Sequence, residues 1–231
     1  IIVIILSYLL LSNFSNAYNV VAQQPIAVTL AISLNAATLA LQAYSFLLLL
    51  PVKLTKPTFH KTYQAWASAN LTNYLGPLQP GLAVRAAFFK IHNIPIKITL
   101  LVTLRQLAIS MWLALGFSIV GLLNQNHLIQ TLAITSLALF AITPLVIRLL
   151  KHIERPNLFK QLADGFTPNL IQLSLIAGQY IISAANIYLV YSFFGANLEL
   201  HDAILLSVIF ALSSLLSLTP NNLGVQEAIL A

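Results

Sequence analysis

Pro220-Asn221-Asn222-Leu223-Gly224-Val225-Gln226-Glu227 follows directly on the apolar run Ala203 to Leu218. A helix-breaking turn, amides and a carboxylate in that position decide how the chain is read. Inside a bilayer, backbone that leaves the helix is tolerated only where protein or a water-filled cavity satisfies its freed N–H and C=O groups. The segment therefore predicts a polar site at membrane depth.

The composition around it agrees. Hydrophobic residues make up 59% of the 231 and charged residues 7%, too few polar side chains to cover the surface of a soluble domain. The mean hydropathy is +0.89. Eleven Lys and Arg stand against five Asp and Glu. They form no stripe interleaved with aromatics, as nucleic-acid binding would require, but gather in the breaks between apolar runs. There is no cysteine, which removes disulfides, thiolate nucleophiles and cysteine-bearing metal centres. The chain opens on Ile1-Ile2-Val3-Ile4-Ile5-Leu6 and stops at Ala231 in an apolar stretch, so we read residues 1–231 as one transmembrane domain truncated at both ends.

Runs of about 20 apolar residues predict spans at Ile26 to Leu50, Ile98 to Leu123, Leu128 to Leu150 and Leu170 to Phe194, with a shorter one at Ala203 to Leu218. The breaks at Leu50 to Lys61, Arg85 to Lys97 and Arg148 to Lys160 are basic. Those at Asn13 to Pro25, Asn124 to His127 and Gly195 to Asp202 carry no Lys or Arg. Alternation of the two kinds sets one orientation, with the basic connections cytoplasmic.

Thr62 to Ile96 has cytoplasmic flanks on both sides and must cross an even number of times. Tyr63, Trp66, Asn70 and Asn73 share a helical face, and Gly76, Pro77, Pro80 and Gly81 then interrupt it. The pattern predicts a re-entrant hairpin over about residues 62–96; an amphipathic helix pair lying flat at the interface is the alternative. A second hairpin is expected over about 203–231. Pro77 and Gly81 match Pro220 and Gly224 in spacing, and Arg85 and Glu227 each lie about one turn beyond the glycine. The expected fold is all-α: a polytopic transmembrane helical bundle with two broken-helix hairpins in inverted orientation.

Two blocks carry a resemblance to a known family. Asn73-Tyr74-Leu75-Gly76-Pro77-Leu78-Gln79-Pro80-Gly81-Leu82-Ala83-Val84-Arg85 is similar to an Asn, Pro-Gly-x-x-Gly-Glu, Arg pattern, and Thr219 to Ala228 to a Pro-Gly-Gly-x-Gly-x-x-Glu ending. In these the chain resembles the transmembrane region of the lysylphosphatidylglycerol synthase and flippase-like family. Leu78, Leu82 and the pair Asn221-Asn222 depart from the pattern, so no role is carried over for the first block's acid.

The resemblance implies movement of an anionic lipid or polyprenyl-phosphate-linked head group across an inner or plasma membrane. The alternative it implies is the membrane part of a lipid-modifying enzyme, an aminoacyl-phosphatidylglycerol synthase or a polyprenyl-dependent glycosyltransferase. The synthase reading calls for a soluble catalytic domain beyond Ala231 or a separate enzyme partner. The expected substrate-binding residues are Arg85, Arg105 and Glu227, with Asn73, Asn221, Asn222 and Gln226 supplying uncharged hydrogen bonds. Each has a plainer reading: Arg85 as a topogenic charge, Arg105 snorkelling to the interface, Glu227 tethering a backbone N–H, the amides capping broken helices. Gln172, Gln179, Ser183 and Asn186 form a polar stripe predicted to face the protein interior.

Enzyme signatures are thin. Five histidines are scattered without metal-ligand spacing, no cofactor motif is present, and there is no Gly-rich phosphate loop. His201-Asp202 reads as a solvated external turn.

Overall fold

The computed structural model describes residues 22–51, 56–73, 80–123, 127–151, 169–193, 195 and 197–213. These residues form helices and no strand. In chain order the helices are α1 (Pro25–Leu49), α2 (Phe59–Asn73), α3 (Gly81–Ile91), α4 (Ile96–Phe117), a 3₁₀ segment (Ser118–Leu123), α5 (His127–Lys151), α6 (Leu170–Phe193) and α7 (Leu200–Ser213). Three segments, Pro25–Leu49, Ile96–Val120 and Leu170–Phe193, are long and apolar enough to cross a membrane. Ile26, Ile32, Leu132, Ile171 and Ile181 are each more than half exposed, as side chains facing lipid would be.

Local chemistry explains most helix ends. Pro25 starts α1, where a missing N–H costs nothing. Along α1, Thr29, Ser33, Asn35 and Thr38 donate to carbonyls four residues back, which satisfies polar side chains without leaving the helix. At the end of α3, Asn93 sits at φ 61, in the left-handed region that Asn tolerates. There the Ile94 N–H donates to the Phe89 carbonyl and the Asn93 N–H to that of Lys90, a Schellman closure with Pro95 just beyond. Phe89 and Ile94, the apolar pair that accompanies this motif, are both buried in the core.

α1 and α6 run antiparallel. Gln24 Nε2 donates to the Phe193 carbonyl at 2.9 Å, and farther along Gly178 faces Leu41. α2 and α3 also run antiparallel: Gly81 packs on Ala69 and Asn73, and four residues later Arg85 lies over Trp66. The small side chains Thr62, Ala65 and Ala69 form the buried face of α2 and permit this close approach. A Cβ at position 81 would collide with the Ala69 carbonyl oxygen, so only glycine fits. Phe46 of α1 stacks on Phe89 at 4.8 Å and meets Trp66 edge-on at 6.2 Å, locking the helix pair to the longer bundle.

The predicted spans fall on α1, α4 with its 3₁₀ extension, α5 and α6, each end within about two residues. α7 begins at Leu200, earlier than the expected Ala203. The expected second hairpin from 214 onward, with Pro220, Asn221, Asn222, Gly224, Gln226 and Glu227, lies outside the described residues, as does Pro77.

Candidate functional site

A cavity of about 540 Å³ opens between α1, α2, α3, α4, α6 and α7. That is mid-range for pockets holding small organic groups. Its wall is mixed. α4 contributes two adjoining stripes, Thr103, Gln106 and Ser110 at one side and Leu100, Leu104, Leu107 and Met111 at the other. The helical period sets both: the residues of each stripe recur at three- and four-residue steps.

Arg85 is the charge on this wall. It is only 9% exposed, and its guanidinium lies 3.9 Å from the Trp66 ring centroid. Its place follows from the hairpin: Gly81 sets α3 hard against α2, and one turn later the side chain emerges over the indole. Cation–π attraction stabilises that arrangement but supplies no hydrogen bonds. Among the described residues, Arg85 Nε and Nη1 and the Trp66 Nε1 have no hydrogen-bond partner. A guanidinium stays cationic in proteins, so the wall presents a buried positive charge with donors unused.

Asn73 also borders the cavity, and its side chain has a definite structural task. Asn73 Oδ1 accepts from the Gly81 N–H at 2.8 Å, so the last residue of α2 caps the first turn of α3. The capping alternative for this amide is thus realised. Trp66 and Asn70 line the cavity as well, so three of the four polar residues read as one face of the hairpin border it. Thr38 and Gln42, in the middle of α1, line the same cavity. Arg105, half-buried on α4, is not among the lining residues.

The expected stripe on α6 divides. Gln179 and Ser183 line the cavity. Gln172 instead belongs to a reciprocal capping box, its N–H donating to Asn169 Oδ1 at 2.8 Å and its Oε1 accepting from the Asn169 N–H at 3.3 Å. The Asn-x-x-Gln spacing before an apolar run was the signal for it.

Sequence reasoning missed Gln42, Thr103, Gln106, Ser110 and Tyr180, all on the wall. Gln106, 6% exposed, donates through Nε2 to the Gln42 carbonyl at 3.1 Å. Tyr180 donates to the Ser110 carbonyl at 2.9 Å, with the Ser110 hydroxyl 3.0 Å from its oxygen. The usable signal was the cost of an amide inside an apolar span, which applies to Gln42, Gln106 and Gln179 alike.

His201 lies in the first turn of α7 rather than in a free loop, with ring nitrogens 3.1 Å from Glu199 Oε2 and 3.3 Å from Asp202 Oδ1. Carboxylates suit the positive end of a helix dipole.

Among families of known proteins, the one described as Lysylphosphatidylglycerol synthase TM region matches residues 1–231. No curated protein and no solved structure matches the chain.

Proposed function

The chain belongs to the lysylphosphatidylglycerol synthase TM-region family, and on that premise we propose that its cavity binds the head group of an anionic lipid or polyprenyl-phosphate conjugate and passes it between leaflets. The observation that carries this reading is Arg85, buried on the cavity wall with two guanidinium nitrogens unpartnered among the described residues. A cation at bilayer depth costs about 2.5–3.5 kcal/mol on insertion scales. A phosphate accepting from those nitrogens offsets the cost through charge-assisted bonds.

Proposed with it is a multi-pass arrangement in an inner or plasma membrane, with α2 and α3 as a re-entrant hairpin. Their lengths support this: at about 22 and 16 Å, neither reaches across a hydrocarbon core of roughly 30 Å. The depth of the pair also supports it. Phe89 stacks on Phe46 near the Leu49 end of α1, while Asn73, near the tip, shares a cavity with mid-helix Thr38 and Gln42. Glu227, Asn221, Asn222 and Gln226 remain part of the proposal as the second hairpin's contribution, with Arg105 as a further cation.

The test is reconstitution in proteoliposomes with a fluorescent anionic phospholipid, following its accessibility to a membrane-impermeant quencher. Wild type should exchange the lipid between leaflets. Arg85→Ala should slow exchange at least about tenfold, the loss of one charge-assisted contact, and Glu227→Gln should slow it as well. Both variants exchanging at the wild-type rate would end the proposal. The word synthase in the family description favours a second reading, the membrane half of a lipid-modifying enzyme. It predicts lipid binding without exchange.

A further inference from the structure

Arg85 rests on an aromatic ring where a carboxylate would be the ordinary partner of a buried cation. Its guanidinium carbon stands 3.9 Å from the Trp66 ring centroid, and both side chains line the cavity. The carboxylates among the described residues, Glu199 and Asp202, lie beside His201 at the start of α7. The difference is chemical. A carboxylate would cancel the charge and occupy the guanidinium N–H groups, and an incoming anion would have to displace it. An indole face attracts the cation through its quadrupole, takes none of those donors and leaves the charge in place.

The ring is also fixed. Trp66 meets Phe46 edge-on at 6.2 Å, and Phe46, fully buried, stacks on Phe89 at 4.8 Å. Gly81 packs against the Ala69 backbone, which leaves no slack between the turn that carries Arg85 and the turn that carries Trp66. Arg85, by contrast, has a long side chain rich in rotamers. Against a rigid ring that freedom is surrendered when the protein folds and not when a ligand arrives, which is preorganisation.

We infer that Trp66 is the positioning residue for Arg85, a platform that holds the guanidinium by its face and leaves its edge to the phosphate. The site is then charged and ordered before a ligand enters and again after it leaves. The inference rests on the anion-binding reading of Arg85 and adds how that charge is held ready. Trp66 acts through Arg85 and needs no contact with the ligand.

The test titrates dioleoyl phosphatidic acid into the full chain in detergent micelles and counts adducts by native mass spectrometry. Trp66→Leu should bind this lipid about fivefold more weakly, the cost of ordering one long side chain at the moment of binding. Trp66→Phe keeps an aromatic face and should stay within about twofold of wild type. In an Arg85→Ala background, Trp66→Leu should cost nothing further, because the platform then has nothing to hold. An equal loss in both backgrounds would give Trp66 a structural or ligand-contacting role and overturn the inference. So would wild-type affinity in Trp66→Leu, or a loss in Trp66→Phe as large as in Trp66→Leu.

A spectroscopic readout needs no ligand. The chain has two tryptophans, and Trp112→Phe leaves Trp66 as the single emitter. Arg85→Ala on that background should shift the Trp66 emission, since the charge over its ring is gone; an unchanged spectrum would show that the guanidinium does not sit on the indole. Failure of the underlying reading looks different. Arg85→Ala would then bind phosphatidic acid as wild type does, which removes the platform's purpose as well, whereas loss of the lipid in Arg85→Ala but not in Trp66→Leu strikes the platform alone.

Discussion

The helix ends and the cavity wall treat their polar groups in opposite ways. At the ends, polar groups serve as caps: Asn73 Oδ1 caps α3, Asn169 and Gln172 cap α6 for each other, and the Asn93 backbone closes α3 in a Schellman turn. On the wall, Arg85, Thr103, Gln106 and Gln179 retain donors or acceptors without partners among the described residues. Membrane helices gain by satisfying every polar atom internally, so each open group is a cost; Ser45, Thr99 and Asn186 carry it away from the cavity, while four on the wall share one space. The same residue types cap helices in one region and stand open on the cavity wall in the other.

Substitutions can break this contrast, beginning with the scaffold. Gly81→Ala drives a methyl into the Ala69 carbonyl at the tightest contact of the hairpin and should destabilise the protein by about 3 kcal/mol, read as a large drop in thermal midpoint and folded yield. Tolerance of alanine there would mean the two helices are not held together as described. Arg85→Ala should do the reverse to the empty protein. Removing a buried cation should raise ligand-free stability by about 1 kcal/mol, while lipid binding falls, a division expected of a functional group and not of a structural one. Asn73→Ala deletes a cap that is in use and should cost about 1 kcal/mol in the same unfolding assay. Gln179→Leu, on the wall, deletes a donor that is not in use and should change stability by less than about 0.5 kcal/mol. Equal losses for Asn73→Ala and Gln179→Leu would erase the distinction between the two regions.

The bundle was legible because its signals are repeated. Apolar run lengths located α1, α4, α5 and α6, and Pro80-Gly81 marked the start of α3. The conversion of α4 into a 3₁₀ turn at Ser118 was not legible, since Ser118-Ile119-Val120-Gly121-Leu122-Leu123 reads as continuing helix. The site was legible where charge or a break advertised it. Arg85, which lines the cavity, stands out in the sequence because it follows a Pro-Gly interruption. Gln106 gives a weaker signal than its neighbour Arg105, because an amide inside an apolar run costs less than a charge. Yet one helical position is a turn of 100°, and Gln106 lines the cavity while Arg105 does not. Gln172 is buried, as its place in the polar stripe predicts, but the stripe does not show its part in a cap. Spacing shows which residues share a face, but not which hydrogen bonds they have already made.

The most direct measurement is of the lipid that the purified protein carries with it. Native mass spectrometry of wild type and Arg85→Ala, prepared side by side from the same membranes, compares the mass and charge class of any bound lipid. Wild type should retain a phosphate-bearing lipid that Arg85→Ala has lost. The same adducts at the same occupancy in both would contradict the account.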